Sequence, residues 1–250
     1  MKIVTIHQPE HLPWLGFFDK MRKADVYVLL DNVQFKTNNW QNRNRIVDRN
    51  GAVQWLTVPC LTKNHTQSTI CDIQTNEATN WRTKYKGRIA EAYRRYPFYG
   101  QYASDIFAII DSQFHNIVDL NIALITYFRS LFGIGPRQEL LRASEIGRTG
   151  SATDLLIYLI KQVGGDAYIA GADGGTYMEL EKFADNGICL LTHRYRPYSY
   201  DALNGFQPCM SALDALFAIG PEEIMRLEKI HNKDSVTQNE SSHPQSISKE

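Results

Sequence analysis

Four cysteines in 250 residues, Cys60, Cys71, Cys189 and Cys209, lie far apart with no CxxC pair. That argues against a zinc ribbon. Net charge is missing too: Lys plus Arg and Asp plus Glu number 27 each, so overall charge points to no nucleic-acid partner. No apolar run approaches the roughly 18 residues of a membrane span. "MKIVTI" gives way at once to His, Gln, Pro and Glu, leaving no signal-peptide core. The expectation is a cytoplasmic protein with reduced, buried thiols. GxSxG, GxGxxG, His-Glu-x-x-His and Walker loops are all absent, so the pattern names no covalent nucleophile and no zincin site. There are no internal repeats.

What is present is ordinary globular material, 43% hydrophobic and 22% charged. We expect one domain over residues 1–230 and a disordered polar tail over 231–250, which is "HNKDSVTQNESSHPQSISKE". "KIVTI" reads as a buried strand, "LGFFDKMRKA" as a helix, and Val26 to Leu30 as a second strand ending at Asp31. Strand, crossover helix, strand implies a parallel sheet. Arg45 to Val47, a turn at Asp48 to Gly51 and a return over Val53 to Val58 read as a β-hairpin. Helical periods begin at Trp81, capped by Thr79 or Asn80, and continue through Ile106–Ile110 and Ile117–Phe132 to a break at "GIGP". A further helix starts at Ser151 or Thr153. Strands follow at Ala167 to Ala170 and in "GICLLTH", then a helix, a break at Gly220-Pro221 and a final helical turn or two. The fold class is therefore α/β, three-layered around a mainly parallel sheet, with a hairpin and a helical segment added.

Ligands of such sheets sit beyond the carboxyl ends of the strands. His7–His11 and Asp31–Lys36 both lie there. His7 and His11 are four apart, but Pro9 and Pro13 remove the helical geometry a metal pair needs. No metal and no cofactor is expected. His7 suits a general base or a phosphate contact. Asp31 and Gln34 suit a hydroxylated or amine ligand. Lys36, Arg43 and Arg45 among the amides of "KTNNWQNRNR" suit a phosphorylated polyol, with Asn39 hydrogen bonding and Trp40 stacking. Gln8 joins them from the first loop, and the glycines of "GADGG", Gly171 and Gly174, would let backbone N–H groups approach phosphate. Arg82 to Arg95 form a basic helix, either a solvated face or a surface for RNA.

The stretch "IHQPEHLPWLGFFDKMRKADVYVLLDNVQFKTNNWQNRNRI" followed by "WLTVP" resembles the WbqC-like protein family. "YIAGADGGTYM", "NGICLLTHRYRPYSY" and "GFQPCMSALDALFAIGP" fit as well, so the likeness spans roughly residues 2 to 222. One position departs: His11 stands where the family usually has an aromatic, commonly Tyr. The resemblance implies a setting in bacterial O-antigen or other surface-polysaccharide (lipopolysaccharide) biosynthesis. The activity that setting suggests is transfer of an acyl or aminoacyl group to a nucleotide-activated amino sugar, with His7 and Asp31 catalytic. The partners would be the nucleotide sugar and an acyl donor or aminoacyl-tRNA, which the basic helix would receive. A non-catalytic sugar-nucleotide-binding or scaffold protein of the same pathway is the alternative. A fainter likeness, to nucleotidylyltransferase-like folds, implies a similar core and a second alternative, a nucleotidylyltransferase-like enzyme, although "HLPW" lacks the Gly and the second His of their HxGH motif.

Overall fold

The computed structural model describes residues 1–62, 68–135, 137–172, 174 and 178–238. Five parallel strands and one antiparallel strand make the central sheet: β1 (Ile3–His7), β2 (Val26–Leu29), β5 (Glu139–Arg142), β6 (Ala167–Ala170), β7 (Cys189–His193) and β8 (Val236–Gln238). Their spatial order is β5-β2-β1-β6-β7-β8. From β1 the chain moves outward through β2 to β5, then returns to the other side of β1 at β6. β1 and β6 therefore flank the point where the strand order reverses, and a crevice opens beyond their carboxyl ends.

Alternation along the strands builds two cores. Val4, Ile6, Val26 and Val28 face one side and pack with Leu155, Leu159 and Ile160 of α6 (Ala152–Gln162) and Phe183 of α7 (Leu180–Asp185). Tyr27 and Leu29 face the other, among residues of α1 (Leu15–Arg22), α2 (Trp81–Tyr93), α3 (Tyr99–Asp111), α4 (Ile117–Leu131) and α8 (Ala212–His231). These two apolar layers give the expected three-layer α/β fold. The hairpin of β3 (Arg43–Val47) and β4 (Val53–Thr57) forms a separate two-stranded sheet packed on this second layer. Among the described residues no helix is long and apolar enough to cross a membrane.

Several boundaries differ from expectation. β5 and the short α5 (Ala143–Ile146) were not anticipated, because "ELLR" is short and only half-buried. Of the two expected caps of α6, Ser151 holds the position before its first residue, Ala152, while Thr153 lies inside the helix, buried, its hydroxyl accepting from the Glu179 N–H at 3.1 Å. α8 continues past the break at Gly220, whose φ is +71°, as far as His231. Part of the expected tail is structured: β8 pairs with β7, and the Ser235 hydroxyl donates to Asp19 at 2.7 Å. Residues 239–250 lie outside the described residues. The four cysteines are free thiols but half-buried rather than buried.

Candidate active site

The loop from β1 to α1 carries the site. Pro9 and Pro13 restrict its backbone, and its interior is pinned by His11. The Asn121 amide donates to the Pro9 and Gln41 carbonyls at 2.9 and 2.8 Å, so its Oδ1 is the remaining acceptor. His11 Nδ1 therefore donates to that oxygen at 2.8 Å, and Nε2 accepts the Tyr85 hydroxyl. Burial pushes His11 down to about 4, so it stays neutral and structural. Asn44 completes the clamp by donating to the His11 and Leu12 carbonyls at 3.2 and 2.8 Å.

His7, by contrast, faces open space. It lines a cleft of about 460 Å³ at the β1/β6 reversal, with Gln8, Lys20, Lys36, Tyr168 and Gly171 among its walls. That volume suits a cofactor-sized or nucleotide-sized ligand. The imidazole is held from both ends. Nε2 lies 3.0 Å from Glu10 Oε1, and Nδ1 lies 3.4 Å from Lys20 Nζ. With Nε2–H donating to the carboxylate, Nδ1 keeps a lone pair on the lysine side. Burial, and after it the Lys20 ammonium, holds His7 below its ordinary 6.5. Lys20 is itself buried and forms no ion pair with a carboxylate within 4.0 Å among the described residues; its other contact is the Ile6 carbonyl at 3.3 Å. Burial pushes it down to about 8, with Glu10 opposing. A buried cation at a cleft wall, with Glu10 acting on it only from beyond ion-pair distance, favours an anionic ligand.

Glu10 and Lys20 are the residues sequence reasoning missed. The signal was there: Lys20 stands three residues after Phe17, on the face α1 buries. A charge inside an apolar stripe marks either a buried pair or a site. Its neighbour Asp19 is the buried pair, accepting from His193 Nε2 at 2.8 Å.

The other expected residues separate. Gln8, Lys36 and Gly171 join His7 at the cleft. Gln8 is oriented by Gln41, whose amide donates to it at 2.8 Å. Asp31 sits at the end of β2 but is fully buried, and both its oxygens are engaged. Arg142 Nε and the Ser144 hydroxyl donate to Oδ2 at 2.9 and 2.8 Å, and the Ser144 N–H donates to Oδ1 at 2.8 Å. The carboxylate fastens β2 to the β5–α5 junction. Gln34 is exposed, paired across to Thr69, and not on the cleft wall. Asn39 accepts from the Trp40 N–H at 2.7 Å, within its own turn. The Gly174 N–H donates to the Gly171 carbonyl at 2.9 Å, and a Cβ on Gly174 would meet Met178 at 2.8 Å. Trp40, Arg43 and Arg45 lie on the hairpin side. Arg43 stacks 3.9 Å over Trp55, and Arg45 5.4 Å over Trp40. On the basic helix, Arg82 pairs with Glu77, Lys86 with Asp111, and Arg88 donates to Gln54. Lys84, Arg94 and Arg95 are exposed, which leaves a sparse positive surface. Among the described residues no group of three His, Cys, Asp or Glu could hold a metal ion.

Comparison with known proteins supplies the family. The model of the WbqC-like protein family matches residues 8–226. A Mycobacterium tuberculosis protein described as "Uncharacterized protein Rv1507c" is 29% identical over 225 residues, covering 89% of this chain and 96% of its own. No solved structure matches.

Proposed function

Starting from a chain that belongs to the WbqC-like protein family, we propose a transferase that places an acyl or aminoacyl group on the amine of a nucleotide-activated amino sugar during bacterial surface-polysaccharide (O-antigen) synthesis. The observation that carries this reading is the Glu10–His7–Lys20 array on the wall of the switch-point cleft. Lys20 and Lys36 neutralise the diphosphate, and Gln8 contacts the ligand from the loop. The neutral His7 imidazole receives a proton as the sugar amine attacks the acyl carbonyl. The carbon–nitrogen bond forms, the bond from the acyl carbon to its carrier breaks, and His7 returns the proton to the departing carrier. Glu10 orients the ring and stabilises the transient imidazolium, the role a carboxylate has behind a catalytic His. Asp31 acts at a distance, by holding the end of β2.

The test is N-acylation of nucleotide amino-hexoses, read by the mass gain of the product over a panel of acyl thioesters and aminoacyl-tRNA. Wild-type protein should turn over, and His7→Ala should fold normally yet lose at least about a hundredfold in rate, the scale of a general base. Undiminished turnover in His7→Ala overturns the assignment.

A further inference from the structure

The residues expected to hold one substrate are divided between two cavities. Beside the cleft lies a second pocket of about 230 Å³, lined by Glu10, Trp14, Trp40, Asn44, Arg45 and Cys209. The two are neighbours in two independent ways. Glu10 belongs to the pocket, His7 belongs to the cleft, and the two side chains are bonded at 3.0 Å. The loop leading to the hairpin also borders both, with Lys36 on the cleft and Trp40 on the pocket four residues later.

The pocket's free chemistry is specific. Trp40 is 37% exposed at the rim, with Arg45 5.4 Å over its ring and Trp55 tilted against it at 5.2 Å, and it offers the exposed part of its indole to a ligand. Arg45 donates through Nη2 to the Cys209 carbonyl at 3.0 Å, but its Nε is buried with no hydrogen-bond partner. Such a donor wants an oxygen. Glu10 wants a donor beyond His7, having a second carboxylate oxygen. Asn44 adds nothing to a ligand, since its amide is committed to the His11 and Leu12 carbonyls and its oxygen accepts from the Arg45 N–H at 2.8 Å. A ring with an apolar face, a hydroxyl or acidic oxygen, and an amine fits this set. That is an amino-pyranose. A simple acyl chain offers no donor to Glu10.

We infer that this pocket holds the sugar ring of the ligand whose diphosphate lies in the cleft, so that one nucleotide sugar spans both cavities across the Glu10–His7 pair. The inference rests on the reading of the cleft given above. It puts a ring hydroxyl on the second oxygen of Glu10, the ring face against Trp40 with a ring oxygen towards the Arg45 guanidinium, and the amine at the cleft end, on the Nδ1 side of His7.

Calorimetric titration with UDP, dTDP and GDP, each against its amino-hexose conjugate, tests it on wild type, Trp40→Ala and Trp40→Phe. Trp40 is at the rim, and its removal does not open the core. In wild type the preferred conjugate should bind more tightly than its diphosphate. Trp40→Ala should erase that advantage by about tenfold, the size of one aromatic contact, without changing diphosphate affinity. Trp40→Phe should restore most of it. An unchanged conjugate-to-diphosphate ratio in Trp40→Ala overturns the inference, as does a wild-type conjugate that binds no more tightly than its diphosphate. If no diphosphate and no conjugate binds wild type, the reading of the cleft falls and this inference falls with it.

Discussion

Two histidines four residues apart have opposite fates, and burial decides between them. His11 is sealed between Asn121 and Tyr85. His7 keeps one face on the cleft. The difference has a measurable sign. Unfolded His11 takes up a proton near its ordinary 6.5, whereas folded His11 resists until about 4. Between those values the unfolded chain binds more protons, so this group makes stability fall as pH drops from 6.5 towards 4. The full loss is on the order of 3 kcal/mol. Above 6.5 it contributes no slope. Chemical denaturation of His11→Gln against wild type should show the variant's stability less dependent on pH in that window. Parallel profiles would show that His11 is not buried neutral. For catalysis the relevant pair is His7 and Lys20. Activity should rise on an acid limb below 6.5, as His7 loses its proton, and fall on an alkaline limb near 8, as Lys20 loses its own. Lys20→Arg, which cannot deprotonate in this range, should abolish the alkaline limb below about pH 10. A limb still at 8 in that variant would assign it to another group.

The elements tell how much could be read in advance. β1, α1 and β2 were legible because short β-branched runs bracket a helical stripe, and that order alone implies parallel pairing. The hairpin was legible from its turn. β5 was not, and with it went the meaning of Asp31: its partners Arg142 and Ser144 lie 111 and 113 residues away. A strand-end carboxylate reads as catalytic until the element that saturates it is placed. The same holds for the tract "KTNNWQNRNR". Its residues alternate across β3, so Arg43 and Arg45 share the Trp40/Trp55 side while Asn44 and Ile46 turn inward. One strand thereby serves a pocket and a core at once. In α1, Gly16 shows why the opening loop needs its glycine. A Cβ there would stand 2.4 to 2.7 Å from three atoms of the Trp14 indole, which lies across the helix. Gly16→Ala would gain about 1 kcal/mol in helix propensity, but it displaces a bulky ring edge-packed on Tyr195 and lining the second pocket. Overpacking of that kind costs about 1–3 kcal/mol. We expect a net loss of stability in urea denaturation, with altered near-ultraviolet circular dichroism. A more stable variant with unchanged spectra would mean that Trp14 does not cover the helix.

At the scale of the molecule, the topology puts function where it is. The return of the chain from β5 to β6 leaves a crevice beyond β1, and the first loop of the chain falls into it. Two cores, one on each face of the sheet, hold that crevice in place. The central claim is that the crevice binds a nucleotide-activated amino sugar, and ligand-induced thermal stabilisation measures this most directly. At a concentration about a hundredfold above Kd, a ligand of the native state adds about 2.7 kcal/mol. For a chain of this length that corresponds to a rise in Tm of roughly 5–10 °C. The account predicts such a rise with a nucleotide amino-hexose, diminished at least by half in Lys20→Gln. A rise with ATP alone, or no rise with any nucleotide sugar at millimolar concentration, would contradict it.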